Sequence, residues 1–150
     1  MRLPTAADTH AFGVRLAGVL RPGDLLVLSG PLGAGKTALT QGIGAGLEVA
    51  GRVVSPTFVI ARVHRGRLPL VHVDAYRLAS LDEVDDLDLD VDLADSVTVV
   101  EWGAGLVEQL AESYLEIQLE RAPDSEVRGI ELIGHGGDWV QRLSALSPQS

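Results

Sequence analysis

Cysteine is absent from this 150-residue chain, which removes disulfides, thiolate catalysis and cysteine-ligated zinc from the possible chemistries. Lysine is almost absent: eleven of the twelve basic residues are arginine, and the exception is Lys36. No apolar run approaches the roughly 20 residues that a membrane-spanning helix needs. Met1-Arg2-Leu3-Pro4 leads into polar residues rather than into a signal-peptide core. The expectation is therefore a soluble, cytoplasmic protein with no membrane partner. Positive charge is scarce as well, giving a net charge of −9. Autonomous nucleic-acid binders grip phosphates with clustered Lys and Arg, so any contact with RNA is expected to be indirect, through a partner. A length of 150 residues and 46% hydrophobic content fit one domain over residues 1–150 with a sizeable core. Neither a linker nor an internal repeat is visible, and residues 147–150 are expected to fray.

The single lysine stands in Gly30-Pro31-Leu32-Gly33-Ala34-Gly35-Lys36-Thr37, which has the spacing G-x-x-x-x-G-K-[ST] of a Walker A phosphate-binding loop. Glycines let the backbone curl so that successive N–H groups point inward at an anion, and the following helix directs its positive end to the same spot. The backbone of Leu32, Gly33, Ala34 and Gly35 would cradle the phosphates, with Lys36, Thr37 and Ala38 continuing the site. The Lys36 ammonium would reach the β- and γ-phosphates, and the Thr37 hydroxyl would ligate Mg²⁺. The context required of the motif is present: Leu25 to Ser29 is a short apolar run before it, and Ala38, Leu39, Ile43 and Leu47 recur at helical spacing after it. Gly42, Gly44 and Gly46 detract from that helix, at up to about 1 kcal/mol each against Ala, unless it is short or packs closely on something.

Elsewhere, Thr5-Ala6-Ala7-Asp8 reads as a capped helix start, with Phe12, Leu16, Val19 and Leu20 on one face before Pro22-Gly23. Residues 52–54 and 58–63 read as strands, with Ser55-Pro56-Thr57 between them. The turn His64 to Arg67 closes a hairpin with residues 68–73. A helix is expected over 80–87, a buried strand over 97–100 and another helix over 105–113. Strands at 114–120 and 130–133 should pair antiparallel near one edge, followed by a turn at His135 to Asp138 and a short helix through Trp139, Leu143 and Leu146. The sum is an α/β fold of the P-loop NTPase-like, three-layer kind: a mixed sheet with parallel core strands and antiparallel edge strands.

Ligands in such sheets collect at the carboxyl ends of the strands, where two apolar runs end in acids, Asp74 and Glu101. Either acid is a Walker B candidate, placed to hold Mg²⁺ or its water or to orient the water that attacks the γ-phosphate. With Lys36 they form the expected catalytic set, and with Thr37 the expected metal set. Thr57 follows a proline, as switch threonines that report on a γ-phosphate do, and a plain turn is the competing reading. His72 reads as a packed, hydrogen-bonded strand histidine, and Trp102 as core or rim. The acid-rich stretch from Asp82 to Asp95 fails as an EF-hand, since Val91 and Val97 hold the positions of its Gly and Glu counting from Asp86. A solvated segment with apolar residues dipping inward is the better reading, with a docking face for a basic partner second.

Four segments, Gly30 to Thr37, Ser55-Pro56-Thr57-Phe58, His72-Val73-Asp74-Ala75-Tyr76-Arg77-Leu78 and Val100-Glu101-Trp102, together resemble in order and spacing the pattern of the bacterial TsaE (YjeE) family, over about Thr5 to Ala145. That family is the small ATPase of tRNA threonylcarbamoyladenosine biosynthesis. The resemblance implies binding of ATP and Mg²⁺, association with TsaB and TsaD, and ATP hydrolysis that sustains modification of the adenosine beside the anticodon; activation by the partners is expected because the chain is acidic, lid-less and without an obvious arginine finger of its own. It implies phosphate binding by Lys36, Mg²⁺ handling by Thr37 and Glu101, service to metal or attacking water by Asp74, and a switch role for Thr57. Arg77 would be the arginine finger if one acts in cis. Two departures stand out: Ala38 replaces a second Thr that many members carry, and Gly103-Ala104-Gly105 is smaller and less acidic than usual. The chief rival is a small-metabolite or nucleotide kinase, for which 150 residues leave little room for a lid although Arg62, Arg65 and Arg67 cluster on the hairpin. A GTPase is disfavoured because [NT]-K-x-D needs a second lysine. A scaffold that holds nucleotide without hydrolysing it is the remaining alternative.

Overall fold

A computed structural model of the chain describes residues 2–30, 35–49, 61–74, 95–101, 113–121, 127–144 and 146. The described strands are β1 (Arg2–Leu3), β2 (Leu25–Ser29), β3 (Ala61–His64), β4 (Leu70–Asp74), β5 (Val97–Glu101), β6 (Tyr114–Arg121) and β7 (Arg128–His135). The described helices are α1 (Ala6–Ala17), α2 (Lys36–Gly46) and α3 (Trp139–Ser144). All seven strands join one sheet in the order β1-β7-β6-β2-β5-β4-β3. The centre, β6-β2-β5-β4, is parallel, and β3, β7 and β1 are added antiparallel to their neighbours. The mixed sheet expected from the sequence is present. Its β6–β7 pair is antiparallel and lies toward one edge, as expected. β6 is bonded to β2, and the short β1 covers the outer side of β7. The expected strand at 52–54 and helix at 80–87 lie outside the described residues, as do 105–112 of the expected second helix.

Strand parity divides the sheet. Leu26, Leu28, Leu70, Val97, Val99, Leu115, Ile117 and Leu119 form one core with Phe12 and Leu16 of α1, Leu39 and Ile43 of α2, and Trp139 of α3. Val27, Val71, Val73 and Val100 alternate with them and are buried as well. Central parallel strands apolar on both faces are what an α/β sheet demands. Further along that second face the surface turns polar: His135 stacks on Tyr114 with ring centroids 4.4 Å apart and bonds Glu116 at 2.9 Å. Hydrogen bonds from Gln118 and then from His135 hold the Glu116 carboxyl below its ordinary range, against a smaller opposing effect of burial.

α1 begins with a capping box: the Asp8 N–H donates to Thr5 Oγ1 at 3.2 Å, and the Thr5 N–H donates to Asp8 Oδ2 at 3.0 Å. It stops at Ala17, short of Pro22, and Val19 and Leu20 lie in the turn that follows. Arg142 of α3 explains part of this geometry. Its Nη2 donates to the Val19 carbonyl at 2.7 Å, its guanidinium pairs with Asp24, and it lies 4.0 Å from the Trp139 ring centroid. α3 is thereby fastened to the link between α1 and β2. β4 starts at Leu70 rather than Leu68 because Pro69 has no N–H to give the sheet. The Pro69 carbonyl instead accepts from Val97 N–H at 2.9 Å.

Two of the three glycines that detracted from α2, Gly42 and Gly46, have a packing cause. A Cβ on Gly13 would sit 2.5 Å from the Leu39 carbonyl oxygen, one on Gly46 would sit 2.5 Å from Ala17 Cβ, and one on Gly42 would overlap the His10 carbonyl. α1 and α2 therefore cross with their backbones in contact, which brings α2 down onto the sheet beside β2. Gly42→Ala would gain up to about 1 kcal/mol of helix propensity. It would lose about 1–3 kcal/mol by overpacking against a backbone group that no rotamer can move aside. The expected net effect is a lower midpoint in thermal or urea unfolding, and larger side chains at Gly42 should lower it further.

Candidate active site

The site is built where β2 hands the chain to α2. Gly30 leaves the strand at φ 143° and Gly35 opens the helix at φ 104°. These backbone angles disfavour any side chain, which is why the sequence needs glycine at both ends of the loop. Gly35 is the N-cap of α2 and its carbonyl accepts from Leu39 N–H at 2.9 Å. Lys36 and Thr37 thus occupy the first turn, where the backbone N–H groups and the helix dipole favour an anion. Lys36 is only 6% exposed, and its Nζ donates to the Gly30 carbonyl at 2.8 Å, folding the side chain back across the mouth of the loop. Thr37 is exposed and Ala38 half-buried on the same turn. Behind them, Thr40 Oγ1 donates to the Lys36 carbonyl at 2.8 Å.

Register places the two acids next to each other and to this loop. Leu28, two residues before Gly30, pairs with Glu101 across β2–β5, and Asp74 pairs with Glu101 across β4–β5. Glu101 is 8% exposed, and its Oε2 lies 3.0 Å from Nε2 of His72. Among the described residues no Lys or Arg forms an ion pair with it. A buried carboxylate with no lysine or arginine paired to it is costly and suits a site that receives a cation. The donors present fit the expected groups: an ammonium and a helix N-terminus for phosphates, and a buried carboxylate with the first-turn hydroxyl of Thr37 for Mg²⁺. Leu32, Gly33, Ala34, Thr57 and Arg77 lie outside the described residues, as does Trp102. Of the expected site residues, the structure brings Gly35, Lys36, Thr37 and Ala38 to one loop mouth, and Asp74 and Glu101 to the adjoining strand ends.

His72 is the residue whose connection the sequence reading did not give. It is packed and hydrogen-bonded as expected, yet its partner is a candidate site acid. Its place two residues before Asp74 was the available signal, since alternate residues of a strand share a face. The basic hairpin offers less to the kinase reading. Its turn precedes β4 and so lies at the amino edge of the parallel strands. There the Arg67 N–H donates to the Leu47 carbonyl at 2.7 Å, and its guanidinium donates to Gly46 O at 3.3 Å.

The sequence model of the family described as Threonylcarbamoyl adenosine biosynthesis protein TsaE matches residues 3–130. The chain belongs to the TsaE family. It is 59% identical over 135 residues to the tRNA threonylcarbamoyladenosine biosynthesis protein TsaE of Streptomyces coelicolor, across 85% of this chain and 91% of that one. The protein of the same name from Bacillus subtilis is 43% identical over 142 residues, covering 93% and 88% of the two chains. The crystal structure of Bacillus subtilis YdiB superimposes with a TM-score of 0.80 at 34% identity, over 98% of this chain and 92% of that one. The TsaE sheet described above is thus P-loop NTPase-like. Among the described residues no helix is long and apolar enough to cross a membrane.

Proposed function

We propose that this chain binds ATP with Mg²⁺ and hydrolyses it in support of threonylcarbamoyladenosine modification of tRNA, as the ATPase of an assembly with TsaB and TsaD. The observation that carries the proposal is a buried Lys36 at the mouth of a glycine loop whose strand is paired directly with the one ending in Glu101. Lys36 and the first-turn N–H groups of α2 would hold the β- and γ-phosphates, and Thr37, Glu101 and Asp74 would hold the cation or orient the attacking water. Bound Mg²⁺ would neutralise charge developing on the phosphoryl oxygens. The net charge of −9 leaves little of this protein able to grip RNA, so tRNA would be contacted through the partners.

Two measurements test the reading together. ATP turnover should rise severalfold or more when TsaB and TsaD are added, and equal rates would remove the partners' role. Depleting the protein from cells should lower threonylcarbamoyladenosine in tRNA nucleosides measured by mass spectrometry, and an unchanged level would disconnect the chain from the modification.

A further inference from the structure

His72 is fully buried in the middle of β4, flanked by valines that fill the strand without any polar cost. A polar ring there is expensive unless hydrogen bonding offsets it. Only half of that offset is visible: Nε2 meets Glu101 Oε2 at 3.0 Å, while the buried Nδ1 has no hydrogen-bond partner among the described residues. This asymmetry puts a proton on Nε2. With a proton on Nε2 the ring donates to the carboxylate. The alternative would oppose a lone pair to a carboxylate and bury an unpaired N–H donor. A residue kept for packing alone has no use for either nitrogen.

We infer that His72 is a positioning residue for Glu101, its Nε2–H fixing Oε2 so that Oε1 is presented to the divalent cation. The inference rests on the ATPase reading for the role of Glu101, while the His72–Glu101 contact stands independently of it. The arrangement is the one by which groups behind a metal ligand orient it, where losing the outer group typically costs about ten- to a hundredfold in metal affinity.

The test compares His72→Leu, which keeps apolar volume and removes the donor, with His72→Gln, which restores a neutral N–H near the same place. Mn²⁺ affinity would be measured by electron paramagnetic resonance with a non-hydrolysable ATP analogue, alongside nucleotide affinity without metal. His72→Leu should weaken Mn²⁺ binding about tenfold or more, leave metal-free nucleotide affinity within about twofold, and be largely rescued by His72→Gln. Long-range proton–nitrogen NMR of the wild-type protein should show a proton on Nε2 of His72, with a shift on Glu101→Gln. Equal Mn²⁺ affinity in wild type and His72→Leu, a Gln variant as impaired as a Leu variant that folds, or a ring protonated on Nδ1 alone would each overturn the inference. If His72→Leu does not fold, the Gln variant decides: Mn²⁺ affinity near wild type supports the inference, and a tenfold loss overturns it. Wild-type protein that binds neither nucleotide nor Mn²⁺ overturns the ATPase reading, and this inference with it.

Discussion

Lys36→Ala should abolish ATP binding at micromolar protein, with an affinity loss of at least about a hundredfold by calorimetry or fluorescent-nucleotide titration. A buried ammonium that donates to phosphate oxygens makes charge-assisted hydrogen bonds of roughly 1.5–3 kcal/mol each. At about 1.4 kcal/mol per tenfold, one or two such bonds account for the loss. Removing the side chain also deletes its bond to the Gly30 carbonyl, so part of the effect would be loosening of the loop. Lys36→Arg separates the two contributions. Its guanidinium retains charge and donors but is a planar fork rather than a compact point charge, and at a site only 6% exposed it will not reproduce the ammonium. Arg should therefore restore little affinity although it can still bond a carbonyl. Unchanged affinity in Lys36→Ala, with the unfolding midpoint preserved, would remove the phosphate assignment.

Much of this arrangement is legible in the sequence, for a physical reason. Gly30, Gly35, Lys36 and Thr37 are close in sequence, and the conformations that demand glycine are local, as φ values of 143° and 104° make plain. The same holds for the Thr5–Asp8 capping box and for the apolar run of β5 that ends at Glu101. What the sequence did not yield depends on elements distant along the chain. Gly42 and Gly46 weaken an isolated helix, and only the crossing of α1 over α2 turns them into contacts. The interior place of β6 depends on its register with β2, and the covering of β7 depends on two residues at the other end of the chain. The His72–Glu101 bond likewise exists only once β4 and β5 pair in the observed register.

Glu101→Gln should separate stability from function by moving them in opposite directions. The glutamate is buried, bonded to a histidine, and paired with no lysine or arginine among the described residues. Desolvating such a carboxylate costs free energy, and glutamine keeps its volume and an oxygen for the His72 N–H while removing the charge. The unfolding midpoint of the metal-free protein should therefore be unchanged or higher. Turnover should fall about a hundred- to a thousandfold, the range seen when one preorganised electrostatic contact to a developing charge is lost. Metal-free ATP affinity should stay within about threefold, because Lys36 and the helix N-terminus are untouched. Stability sacrificed at a site that needs an uncompensated charge is the expected signature of function. A variant that is less stable and still hydrolyses ATP would make Glu101 a structural residue and move the metal role to Asp74, its neighbour in the β4–β5 register.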